Sequence, residues 1–183
     1  MWDRITRDAA VVAPVQVDEV AGHLRLDEAD DHPTLSQLID AAALSLENYG
    51  GFSMESQDFT ISLDRFPAWE ICIPIGPILS ITSIEYTDQD GTPDQVVGSS
   101  DYELDPEGGR IRPVQGASWP STDLVYNAVE IKFKAGYETV PSPLQTAVII
   151  LASALFENRI DLDEIPMAVK FMVEPYRRAR FGA

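Results

Sequence analysis

The sequence is poor in the side chains that most often carry chemistry, with one cysteine, Cys72, and two histidines, His23 and His32, among 183 residues. A lone cysteine excludes an internal disulfide framework. Set in the apolar run "WEICIPIG", it reads as inert core filling in a reducing cytoplasm. Both histidines lie in the N-terminal segment, and no G-x-S-x-G elbow or phosphate-cradling glycine loop occurs anywhere. Nothing therefore supplies a nucleophile together with a base and an orienting group, and carboxylate pairs in so acidic a chain carry no information without geometry. No catalytic residue, metal ligand or cofactor is assigned, and the expectation is a protein that is not an enzyme.

Basic residues are scarce as well. Thirteen Lys and Arg face 30 Asp and Glu, a net charge of −17 with a sequence pI near 4.2. That balance argues against a surface that wraps nucleic acid, because such binding neutralises phosphates with Lys and Arg. The distribution is uneven: between Arg25 and Arg110 only Arg65 is basic, whereas "KFMVEPYRRARFGA" carries Lys170, Arg177, Arg178 and Arg180 against Glu174. The C-terminus is a basic tip on an acidic body. Long apolar runs are missing too, and "MWDRITRDAA" has charge but no apolar h-region. The expectation is a protein that neither spans a membrane, which takes about 18 consecutive apolar residues, nor leaves the cell through a signal peptide.

The size suits one domain. Residues 1–16 show no clear periodicity and read as an N-terminal extension. Val17, Val20, Ala21 and Leu24 have helical spacing, and Leu35, Leu38, Ile39, Ala42, Leu46 and Tyr49 trace the apolar face of a second helix that starts near Pro33 and stops at Gly50 and Gly51. These helices occupy 17–56. From 57 to 135 short β-like runs alternate with Pro, Gly and Asp, a meander-like antiparallel insertion. Helical pattern returns over 143–174, where Met167, Phe171, Met172 and Val173 form an amphipathic run, and 175–183 form an extended arm. The fold class is α+β: a small helical bundle with an inserted antiparallel β portion.

Two acidic stretches invite a metal. In "TDQDGTPD", placing Gly91 at the sixth position of an EF-hand loop puts Tyr86 first and Val97 last, so the register fails and a hairpin turn is the better reading. Asp27, Glu28, Asp30 and Asp31 beside His32 could gather a cation, but solvated charge around a helix start suits them better. The basic-aromatic tail has three readings: nucleic-acid contact, a complement to a helix dipole, or docking into an acidic pocket on a partner. Its terminal position and Arg content suit the third best.

One helix poses a question of its own. In "PSPLQTAVIILASALFENR", Leu144, Val148, Leu151 and Leu155 lie on one side while Ile149, Ile150, Ala154 and Phe156 lie on others. A helix with two apolar sides must bury the second against its own domain or against another copy.

In order and spacing, "VDEVAGHLRLDEADDHPTLSQLIDAAALSLENYGG", "PILSITSIEYTDQDG", "YELDPEGGRIRP", the Trp119-Pro120 pair and "VEIKFKAGYETVPSPLQTAVIILASALFENR" resemble the head-tail connector (adaptor, or first head-completion) family of tailed phages and gene transfer agents. The resemblance runs from about Val17 to Arg180. It implies a non-catalytic subunit, twelve copies of which form a ring beneath the portal, extend the DNA channel and receive the next neck or tail-completion protein. It implies assembly in the cytoplasm and residence in the neck of the particle, with DNA sliding past an acidic body without specific binding. On this reading Ile149, Ile150, Ala154 and Phe156 face a neighbouring copy, and Pro175, Tyr176, Arg177, Arg178, Arg180 and Phe181 engage the portal. The competing reading is a small acidic cytoplasmic binding or regulatory module.

Overall fold

A computed structural model describes residues 4–9, 13–26, 32–158 and 165–178. The described residues divide into two compact units: those of 4–9 and 56–136 form a β unit, and those of 13–55 and 137–178 form a helical unit. All strand pairs are antiparallel, so the fold is α+β as the sequence pattern indicates.

The β unit is built around its last strand. β1 (Arg4–Arg7), β2 (Gln57–Leu63), β4 (Ile78–Tyr86), β5 (Gln95–Val96) and β8 (Val129–Ala135) form a five-stranded sheet in the order β1-β2-β8-β4-β5. A second sheet has β7 (Arg110–Pro113) between β3 (Ile71–Cys72) and β6 (Tyr102–Asp105). Strict alternation gives β8 one buried face. Val129, Ile131, Phe133 and Ala135 are buried while Glu130, Lys132 and Lys134 point away, and the buried set meets Phe59, Ile61 and Leu63 of β2 on one side and Ile84 of β4 on the other. Phe59 and Phe133 stack at 5.6 Å. On the other face Lys132 Nζ lies 3.2 Å from Glu85 and 3.0 Å from Glu130.

Three expectations for this unit need correcting. The strands do not follow a meander, because β8 pairs with both β2 and β4. The N-terminal residues are no mere extension: Arg4–Arg7 add an edge strand in register with Phe59–Ser62. A four-residue strand with a single apolar position, Ile5, is too short to show a period. Cys72 is half-buried rather than core, since alternation turns Ile71 and Ile73 inward and Cys72 out. Burial, followed by the neighbouring Glu70 carboxylate, pushes its thiol pKa up, with Arg110 opposing.

In the helical unit, α1 (Val17–Leu24) opens with the Glu19 carboxylate accepting the Gln16 N–H at 2.7 Å and ends at Arg25 in the left-handed region, φ 57°. α2 (His32–Gly50) buries the predicted Leu35, Ile39, Ala42 and Leu46, and Gly51 at φ 68° ends it. α3 (Ser142–Asn158) packs against α1, α2 and α4 (Met167–Val173). α4 divides the apolar run read from the sequence: Val173 is buried together with Val169 and Met172 packs against the same core, whereas Met167 and Phe171 are open to solvent. In so short a helix either stripe satisfies the apolar spacing. Among the described residues no helix is long and apolar enough to cross a membrane.

Candidate interaction surfaces

α3 accounts for its own apolar excess only in part. Leu144, Ala147, Val148, Leu151, Ala152 and Leu155 are buried in the helical core, as the first apolar face requires. Ile149, Ile150, Ala154 and Phe156 are half-buried, and Ile149, Ile150 and Phe156 also lean on that same core. The second side is therefore lined by its own unit and left partly open.

The C-terminal segment is anchored where it leaves α4. A 3-10 turn, Glu174–Tyr176, contains Pro175, and from it Tyr176 packs edge-on to Tyr137, with ring centroids 6.2 Å apart. Tyr137 in turn meets Phe52 at 6.4 Å, and burial, then Tyr176, raise the pKa of its hydroxyl while Arg178 opposes. The Arg177 guanidinium lies 4.9 Å over the Tyr49 ring and 3.6 Å from Glu174. The Arg178 N–H donates to Gly50 O at 2.8 Å. The start of the predicted arm thus docks on its own helical unit: Tyr176 faces its own core rather than reaching out from it, because its ring completes an aromatic row with Tyr137 and Phe52. Arg180 and Phe181 lie outside the described residues.

A surface that the sequence did not suggest lies at one end of the five-stranded sheet. Leu63, Tyr86 and Val129 share a register row there, so the segments after β2 and β4 and before β8 come together. Asp64 Oδ1 accepts the Asn127 N–H at 2.9 Å, Thr87 O accepts the Asp123 N–H at 3.1 Å, and the Trp119 indole donates to Trp69 O at 2.9 Å. The Phe66 ring stacks on Trp119 at 5.0 Å. These bonds hold up a tip on which Trp69, Leu124 and Tyr126 are 83%, 95% and 88% exposed. The only sequence signal was three apolar residues between Asp123 and Asn127, which reads as a strand fragment. Beside the tip, Asp88 Oδ1 accepts the Asp90 and Thr92 N–H groups at 3.0 and 2.9 Å, closing a polar turn where a calcium loop had been weighed.

Solved structures similar to this chain include chains of gene transfer agent necks and of a gene transfer agent virion. The neck of an empty gene transfer agent particle computed with C6 symmetry contains a chain 26% identical with a TM-score of 0.80, covering 98% of each chain. That likeness supports a place among the neck-associated proteins of phages and gene transfer agents. A chain in the virion of a native gene transfer agent particle is 26% identical, with a TM-score of 0.79 over 98% of this chain and 97% of its own length. Another, in the neck of a native particle computed with C12 symmetry, is 25% identical, with a TM-score of 0.77 over 98% of both. No family model and no curated protein matches the sequence. The described residues hold no group of three or more His, Cys, Asp and Glu able to bind a metal ion. The features that stand out are surfaces: the open side of α3, the anchored C-terminal segment, the α4 face and the sheet-end tip.

Proposed function

We propose that this chain is a structural, non-catalytic subunit of a particle neck: an adaptor, twelve copies of which form a ring beneath the portal, extend the DNA channel and receive the next neck component. The observation that carries this reading is the likeness, over nearly the whole chain, to chains of necks computed with C6 and C12 symmetry. α3 supports it, because Ile149, Ile150, Ala154 and Phe156 leave partly open apolar surface for a neighbouring copy. The charge of −17 suits a channel through which DNA slides without adhering.

The portal contact is made by Pro175, Arg177, Arg178, Arg180 and Phe181, with Tyr176 fixing the point from which the arm departs. The chain assembles in the cytoplasm before it joins the particle. A protein ending at Arg178 keeps the described anchor and tests the arm. It is expected to melt like the full chain yet fail to join portal-bearing heads. Attachment at the full-length level would remove residues 179–183, Arg180 and Phe181 among them, from the portal contact.

A further inference from the structure

Among the described residues, the sheet-end tip and the α4 face are open apolar patches bordered by charges of opposite sign. The sheet-end tip presents Trp69, Leu124 and Tyr126 beside an acidic turn, where a Cβ on Gly91 would lie only 3.8 Å from Asp123 Oδ2. Asp88, Asp90 and Asp123 therefore rim the tip on that side. On α4, Met167 and Phe171 are 65% and 72% exposed, one turn apart, and Lys170 shares their face because positions i, i+3 and i+4 align on a helix. Arg177 follows at the end of the next turn, 3.6 Å from Glu174, which the same spacing sets beside Phe171, so two cations and one carboxylate border the strip. In a chain with 13 basic residues against 30 acidic ones, an apolar strip with basic neighbours is a scarce feature.

We infer that these two patches join the open side of α3 in the contact between copies: the acidic-rimmed tip of one copy docks on the α4 strip, with its Lys170 and Arg177, of the next. This inference rests on the ring reading proposed above. A ring closed by rotation joins two different surfaces of each copy head to tail, whereas a self-complementary patch stops at a dimer. Two tips facing each other would set Asp88, Asp90 and Asp123 against their own duplicates, and two α4 strips would oppose Lys170 to Lys170. Only the mixed pairing brings opposite charges together around buried aromatic and leucine side chains. That is the usual arrangement of an apolar centre with a polar rim that sets register.

The test uses the full chain in cells that produce the particles, with copies per neck counted by mass spectrometry of purified particles. Leu124→Asp and Phe171→Asp are each expected to melt like the unaltered protein, since both sites are exposed, and to be missing from necks. Asp90→Lys and Lys170→Glu are each expected to lower occupancy by roughly three- to tenfold, the scale of rim charges. The doubly exchanged chain is expected to recover most of it, because the pair is restored between copies. If the unaltered chain is absent from necks, the ring reading falls and this inference with it. If it is present and both aspartate variants match it, only this inference falls. Loss in the aspartate variants without recovery in the exchanged chain would also overturn the pairing, assigning the patches to a different neck protein.

Discussion

The main-chain N–H of Arg178 donates to the carbonyl oxygen of Gly50 at 2.8 Å, tying the last described residue of the chain to the end of α2. The same corner holds the Phe52, Tyr137 and Tyr176 rings in a row and the Arg177 guanidinium over Tyr49. α2 must stop where it does for this corner to form.

Gly50 is the residue through which that corner is tested. A Cβ there would overlap the Phe52 ring, so Gly50→Ala forces the ring aside even though alanine favours helix. The expected result is a loss of about 1–3 kcal/mol in urea unfolding, the usual cost of overpacking. An unchanged midpoint would mean that the ring has room to move.

Leu151 and Ala154 separate the two sides of α3. Leu151→Ala removes a fully buried side chain and is expected to cost about 2–5 kcal/mol. Ala154→Glu, at a half-buried position, is expected to leave the chain folded and exclude it from necks, because a charge would be buried between copies without a partner. Melting of Ala154→Glu as poor as that of Leu151→Ala would assign the second side of the helix to the chain's own core.

Glu47 shows a polar group working inside the helical core. It is buried, and its carboxylate accepts the Met54 N–H at 2.7 Å across the glycine turn. Glu47→Leu leaves that N–H buried without this acceptor. The expected loss is about 1–3 kcal/mol, measured by chemical denaturation, with Glu47→Gln costing less because its amide oxygen still accepts.

Cys72 gives a pH-dependent readout. Its thiol pKa is raised, first by burial and then by Glu70, so at neutral pH the thiolate fraction lies below that of a free cysteine and alkylation is slow. Raising the pH is expected to speed the reaction, and Glu70→Gln to shift the rate profile towards lower pH. A profile identical in the two proteins would remove Glu70 as a cause.

The sequence made the four helices and the long strands legible for physical reasons. β2 and β8 alternate over seven residues each, and α2 repeats its apolar face from Leu35 to Tyr49, about four turns, so the period shows. The rest depends on partners that lie far away in sequence. β8 takes the centre of the sheet because both of its edges find partners, which no local pattern encodes. Met167, Phe171, Met172 and Val173 read as one amphipathic run because seven residues of helix allow two apolar stripes, and only the fit of Val169 and Val173 into the core chooses between them. Leu124 and Tyr126 break the rule that large apolar residues lie inside, so a pattern built on that rule misplaces them. Tyr176 looked free because nothing near it in sequence reveals Tyr137.

The central claim, a ring-forming subunit of a particle neck, is tested most directly by a reconstruction of the neck from particles that carry this chain. The account predicts one closed ring of twelve copies around the particle axis, in contact with the portal, with α3 facing a neighbouring copy. A neck whose density is fully accounted for without this chain would contradict it.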